Sequence, residues 1–254
     1  MVNFSRPPIN EVALSQSFVS RLDLLVPHFG EFWATIKDKF PKTQHATPVV
    51  SPGDMPLQDP FGSWLPRVWF VSEDDTRLVQ LQQDRLIVNW RQTERGEEYV
   101  RFPAVKAEFD SAWGNLDRYV AERLGTPLQP TRLELSYVNI IPAGKEESIT
   151  DVCGRVLRDY TWAAGPRFLP KPGKLQSFFE VPLRDSAGSL SVRISGAQRL
   201  NDGLLVLRFE LVASGSLPEG MSRDKWIEIA HETIVLGFKD LTSLEAQSTE
   251  WGVL

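Results

Sequence analysis

The 254-residue chain predicts an α+β fold. It is expected to hold mostly antiparallel sheet, in about eight strands, with long helices packed on one face. Three observations carry this reading. Short runs of alternating polar and apolar residues fall in pairs joined by turn residues, as hairpins do. Helical stripes are few and long. Strand and helix do not alternate in the doubly wound manner, which argues against a nucleotide crevice of that type.

The elements follow in order. Residues 8–18, PINEVALSQSF, read as a first strand, and proline is tolerated where a strand begins. Leu22, Leu25, Phe29, Phe32, Trp33, Ile36 and Phe40 recur at gaps of three and four, so they share one helix face. Pro27 belongs in the first turn of that helix, and Pro41 sits just past its end. Residues 41–66 hold six prolines and read as a long loop, passive or lid-like, without helix or central strand. Three short strands follow at 67–72, 77–82 and 85–91. The first is apolar on both faces. The third sets Leu86, Val88 and Trp90 on one side and Arg85, Ile87, Asn89 and Arg91 on the other. A helix over 104–124 stops at Gly125, and PTRLELSYVNIIP at 130–142 supplies the next strand.

The second half begins with a helix over 146–160 and a Gly/Pro-rich loop at 163–174. Strands at 175–183, 189–196 and 203–213 follow, joined by DSAG and LNDG turns. The last long helix spans 222–240 with Ser222 as N-cap. Thr242 and Glu245 have the spacing of a capping box for a short final helix. The order suggests two similar halves, residues 1–142 and 143–254, packed as one compact unit. Arg-apolar-Glu-Leu recurs at 132–135 and 208–211, a short echo between them.

Composition narrows the function classes. A net charge of −5 with no basic cluster argues against nucleic-acid binding through phosphates. No apolar run approaches a membrane span, no secretory h-region opens the chain, and the single Cys153 can form no internal disulfide. A cytoplasmic protein is expected. His28, His45 and His231 show no metal-ligand spacing. There is no P-loop, no G-x-G-x-x-G and no nucleophile elbow. Glu73, Asp74 and Asp75 suit a turn better than a cation site. No cofactor and no catalytic constellation can be named, so whether the chain is an enzyme stays open.

The polar strand faces remain. Arg132 and Glu134 face away from Leu133, Leu135 and Tyr137, and Arg208 and Glu210 face away from Leu207, Phe209 and Leu211. Arg193 stands in a polar row with Ser191 and Ser195. Opposite charges across strands stabilise a sheet by about 0.2–1 kcal/mol each, which accounts for such rows without function. A covered, arginine-lined concavity would instead suit an anionic ligand or an acidic segment of a partner. Asn139 shares the parity of the core residues, so a structural hydrogen bond is expected of it. Of the eight tryptophans, Trp64, Trp162 and Trp251 fall outside the apolar stripes and are candidate contacts or anchors.

Four segments in order, RPPINEV near the start, FGEFWATIKDKFP at 29–41, RLELSYVNIIP at 132–142 and the tail HETIVLGFKDLT with STEWG, resemble a known group. It is a sporadically distributed bacterial family of uncharacterised proteins of roughly 250 residues. The resemblance carries no residue roles. It implies an accessory component, of the kind found at mobile or defence-related loci. The leading expectation is a non-catalytic component that binds a protein partner. Its contact region would be Arg132, Glu134, Arg193, Arg208, Glu210 and Trp64. The alternative is a ligand-binding protein or enzyme whose Arg/Glu-lined pocket takes a small anion.

Overall fold

The computed structural model describes residues 4–21, 23–49, 65–93, 98–163, 165–199 and 201–253. Its elements are β1 (Ile9–Phe18), α1 (Val26–Ala34), β2 (Lys42–Ala46), β3 (Arg67–Val71), β4 (Arg77–Gln82), β5 (Arg85–Arg91), α2 (Phe102–Leu124) and β6 (Pro130–Pro142). Then follow α3 (Ile149–Val156), β7 (Gln176–Pro182), β8 (Ser189–Gln198), β9 (Leu205–Ser216), α4 (Arg223–Leu241) and α5 (Leu244–Thr249). The fold is α+β. The pairings of β2 with β3, β3 with β4, β4 with β5, β1 with β5, β7 with β8 and β8 with β9 are all antiparallel.

The chain divides into two compact units: Glu11–Glu134, continuous in sequence, and Leu135–Leu254 joined by Met1–Asn10. The division falls inside β6.

In the continuous unit the strand order is β2-β3-β4-β5-β1, then the first residues of β6. Register places Val12, Leu14, Leu86, Val88, Trp90, Val79, Leu81 and Phe70 on one face. That face is the core, and each of these residues is buried. Helix α2 packs on β5, with Trp113 edge-on to Phe18 at 6.1 Å, and Phe32 of α1 meets Phe70 at 5.8 Å. Each such side chain contributes about 1.5–3 kcal/mol on burial. Helix α1 is shorter than its apolar stripe. It ends at Ala34, where Thr35 turns its hydroxyl back to the Phe32 carbonyl at 2.7 Å. The proline-rich stretch expected to be loop throughout contains β2, an edge strand with Pro41 and Pro48 outside its ends. Gly125 closes α2 as expected, at φ 78°.

In the second unit the order from β6 is β9-β8-β7, with Ile9 and Asn10 of β1 on the other side of β6. Leu133, Leu135 and Tyr137 are buried along β6 while Arg132 is exposed and Glu134 half-buried, the expected alternation. Helix α4 lies on β8 and β9, with Phe238 stacked on Phe209 at 5.6 Å. Ser222 caps it, its hydroxyl accepting from the Lys225 N–H at 3.2 Å. The final helix is capped by Ser243 rather than Thr242: Ser243 Oγ accepts from the Ala246 N–H at 3.1 Å. Thr242 is instead buried, donating to the Phe238 carbonyl at 2.7 Å.

Two glycines permit a close backbone approach in this unit. The turn after β7 passes the end of β9 so tightly that a Cβ on Gly188 (φ 125°) would stand 2.0 Å from the Ser214 oxygen. A Cβ on Gly215 would stand 1.9 Å from the Ala187 oxygen. Trp226 seals the same turn, its indole N–H donating to Ala187 O at 2.8 Å. The tail is pinned by Trp251, buried against Phe4 and Phe238 at 6.2 and 5.0 Å.

Candidate functional site

Among the described residues, three places gather polar chemistry, one in the second unit and two in the continuous unit. In the second unit, register sets Arg193 opposite Glu210 and Ser195 opposite Arg208. Arg208 is ion-paired with Glu210 on its own strand. The Arg193 guanidinium lies 5.6 Å from the Phe178 ring on the neighbouring β7, a cation–π distance. Arg193, Arg208 and Glu210 thus share one face of the β7-β8-β9 sheet, with both arginines exposed. Strand β7 ends the order and is exposed at all seven residues. Three of these are large and apolar: Phe178 (59% exposed), Phe179 (36%) and Val181 (40%). Arg132 and Glu134 belong to the continuous unit. Trp64 and residues 50–64 of the expected lid lie outside the described residues.

No family model matches the chain, and no curated protein matches it.

In the continuous unit, the face of the sheet opposite the core is polar. Glu11, Arg67, Trp69, Gln80, Arg85, Asn89 and Arg91 share it by register. Its floor is buried: Gln80 (5% exposed), Arg85 and Asn89. Its rim of Glu11, Arg67, Trp69 and Arg91 is half-buried. A relay of amides crosses the floor. Gln80 Nε2 donates to Asn89 Oδ1 at 2.8 Å, and Asn89 Nδ2 donates to the Glu11 carboxylate. Arg67 and Arg91 both lie against Trp69, 5.6 and 5.8 Å from the ring centroid. Arg91 Nε donates to the Asp75 carbonyl, and Arg85 pairs with Asp84 at 3.4 Å. Burial pushes the Arg67 pKa down; neighbouring Arg85 pushes the same way and Glu11 opposes. Among the described residues, the buried polar atoms without a hydrogen-bond partner include Arg67 Nε, Trp69 Nε1 and Gln80 Oε1 on this face.

The polar row of Arg85, Asn89 and Arg91 was legible in the alternation of the third strand. Arg67 and Trp69 were not, because RVWFVS reads as apolar on both faces. Only the β3–β4 pairing, which sets Trp69 directly opposite Gln80, reveals them as part of one surface.

The third place lies against α2. Glu108 lines two cavities, one of about 260 Å³ with Asp74, Thr76 and Arg77, and one of about 190 Å³ with Lys39, Ser111 and Asn115. Its carboxylate pairs with Arg77 at 3.3 Å. Burial nevertheless raises its pKa, outweighing the pull of Arg77 and Lys39. Glu108 was not singled out from the sequence, where it sits on the polar side of a helix stripe.

The remaining candidates resolve as structure. Asp74 caps its turn, accepting from Ser72 Oγ at 2.5 Å and from the Thr76 N–H at 3.2 Å, and Asp75 adopts φ 63° and pairs with Lys42 at 3.2 Å. Among the described residues no three His, Cys, Asp or Glu side chains gather as for a metal. Asn139 is buried and donates to the Phe209 carbonyl at 3.1 Å, the structural tie its parity implied. Cys153 is fully buried, and burial pushes its thiol up to about 11. Trp162 is half-buried beneath Arg167, 4.5 Å from its ring. Among the described residues, no helix is long and apolar enough to cross a membrane.

Proposed function

We propose that the protein is a cytosolic binding component that works through a protein partner, docked along the β7 edge of the second unit. The observation that carries this reading is the exposure of every residue of β7, with Phe178, Phe179 and Val181 among them. Exposed, apolar edge strands invite pairing, and proteins ordinarily guard them with charge, bulges or cover. Here Glu180 is the only charged residue in the strand. A partner's extended segment would add to the edge by main-chain hydrogen bonds and read alternate side chains through the adjoining surface. On one face that surface offers Phe178 with Arg193 over its ring, then Glu210 and Arg208. This chemistry suits a segment that alternates apolar and acidic residues. The resemblance to a sporadically distributed bacterial family adds an accessory role to the same reading.

The test is site-specific photocrosslinking in the native cell. A photoreactive residue at position 178 should give a discrete protein adduct. The same residue at Leu236, exposed on α4, should not. Equal labelling from both positions, or none from position 178, would count against the proposal.

A further inference from the structure

The polar face of the continuous unit has features that the partner reading leaves unused. Buried polar atoms in native proteins are nearly always hydrogen-bonded, and an orphaned one costs about 1–3 kcal/mol. Arg67 Nε, Trp69 Nε1 and Gln80 Oε1 are three such atoms on this face, among the described residues. Trp69 and Gln80 are directly opposed across β3 and β4, and Arg67 lies two residues from Trp69 on the same face. Two of the orphans, Arg67 Nε and Trp69 Nε1, are donors, and one, Gln80 Oε1, is an acceptor.

The charges point the same way as the donors. The guanidiniums of Arg67 and Arg85 repel one another, and Glu11 is the carboxylate that opposes them at Arg67. Glu11 is itself engaged by Asn89, while Arg85 is paired with Asp84 at the end of the strand. Arg67 is therefore held half-desolvated beside a like charge, with a donor turned to no acceptor. A bound anion would relieve both costs at once, since a guanidinium and an indole N–H together form a donor set for an oxyanion.

We propose that this face is a binding site for a small oxyanion, a carboxylate or a phosphate. Arg67 and Trp69 Nε1 are its donors, and Gln80 Oε1 accepts from a hydroxyl or amine on the same molecule. The rim around these atoms is half-buried, and the amide relay of Gln80, Asn89 and Glu11 holds the floor in register. Arg91 also lies against the Trp69 ring, 5.8 Å from its centroid. The site lies within one unit and depends on no partner at β7.

The test uses the full chain with two probes, inorganic phosphate and succinate, read by thermal shift and by titration calorimetry. Trp69→Phe removes one orphaned donor and keeps the ring for Arg67 and Arg91. Arg67→Gln removes the cation. At least one probe should raise the Tm of the native protein, and which one does so identifies the oxyanion class. Arg67→Gln should weaken that binding tenfold or more, and Trp69→Phe several-fold. Without ligand, Trp69→Phe should leave the Tm unchanged or higher, because the lost donor had no partner. Binding of neither probe overturns the proposal. So does equal affinity in the native protein and Trp69→Phe, a readout that survives if Arg67→Gln fails to fold.

Discussion

The Asn89 side-chain amide donates to the Glu11 carboxylate, joining the middle of β5 to the start of β1. Asn89 is 2% exposed and also accepts from Gln80, so one residue satisfies two neighbours. Replacing it with leucine would leave the Glu11 carboxylate and the Gln80 amide without that partner. Asn89→Leu should lower unfolding stability by about 1–3 kcal/mol, measured as a lower urea midpoint at unchanged slope.

His231 sets an acid limit on the second unit. It lies beside the Tyr137 ring at 6.1 Å. Burial pushes its pKa from the ordinary 6.5 down to about 4, with adjacent Glu232 pulling weakly the other way. The folded protein therefore favours the neutral imidazole. This contribution is whole above pH 6.5 and is lost as pH falls from there toward 4. After allowance for partial exposure, the loss should be about 1–2 kcal/mol. Denaturant melts between pH 7 and pH 4 should show a steeper decline for the native protein than for His231→Gln.

The backbone contact between the turn after β7 and the end of β9 leaves no room for a methyl group. Gly188→Ala adds strain at φ 125° to a clash with the Ser214 oxygen, and Gly215→Ala clashes with the Ala187 oxygen. Each should cost about 3 kcal/mol or more, seen as a large drop in Tm. Trp226→Phe, which leaves the Ala187 carbonyl without its indole donor, should cost about 1–3 kcal/mol.

Cys153 should be silent in the folded protein. It is 0% exposed, and its thiol is held near 11, so little thiolate exists at neutral pH. A chromogenic disulfide reagent at pH 8 should show no absorbance change until denaturant is added, and then one thiol per chain. Rapid labelling without denaturant would contradict the burial.

Much of the fold was legible because it depends on local periodicity. The stripe of Val105, Phe109, Trp113 and Leu116, the stop at Gly125 and the cap at Ser222 are written in single segments. So is the alternation of Leu133 and Leu135 with Arg132 and Glu134. What escaped depends on pairing. Residues 42–46, KTQHA, have little strand character of their own and are strand because β3 lies beside them. The oxyanion face has the same origin: Arg67, Gln80 and Glu11 come from three strands, and no single strand shows that they meet. Spacing alone points to Thr242 as the cap because it does not distinguish this residue from its neighbour Ser243. The difference lies in the burial of one hydroxyl and the exposure of the other to a helix end.

Trp251, with Phe4 against it, gives the two units different histories during synthesis. Residues 11–134 emerge from the ribosome as an unbroken run that carries β2 to β5, both α1 and α2, and most of β1. The other unit draws on Phe4–Asn10, made before that run, and on Trp251, made after it. Its early segment must wait until the continuous unit has been made before the tryptophan that packs on it emerges. A chain stalled before Trp251 would therefore hold the continuous run complete while Phe4 lacks the indole that packs on it.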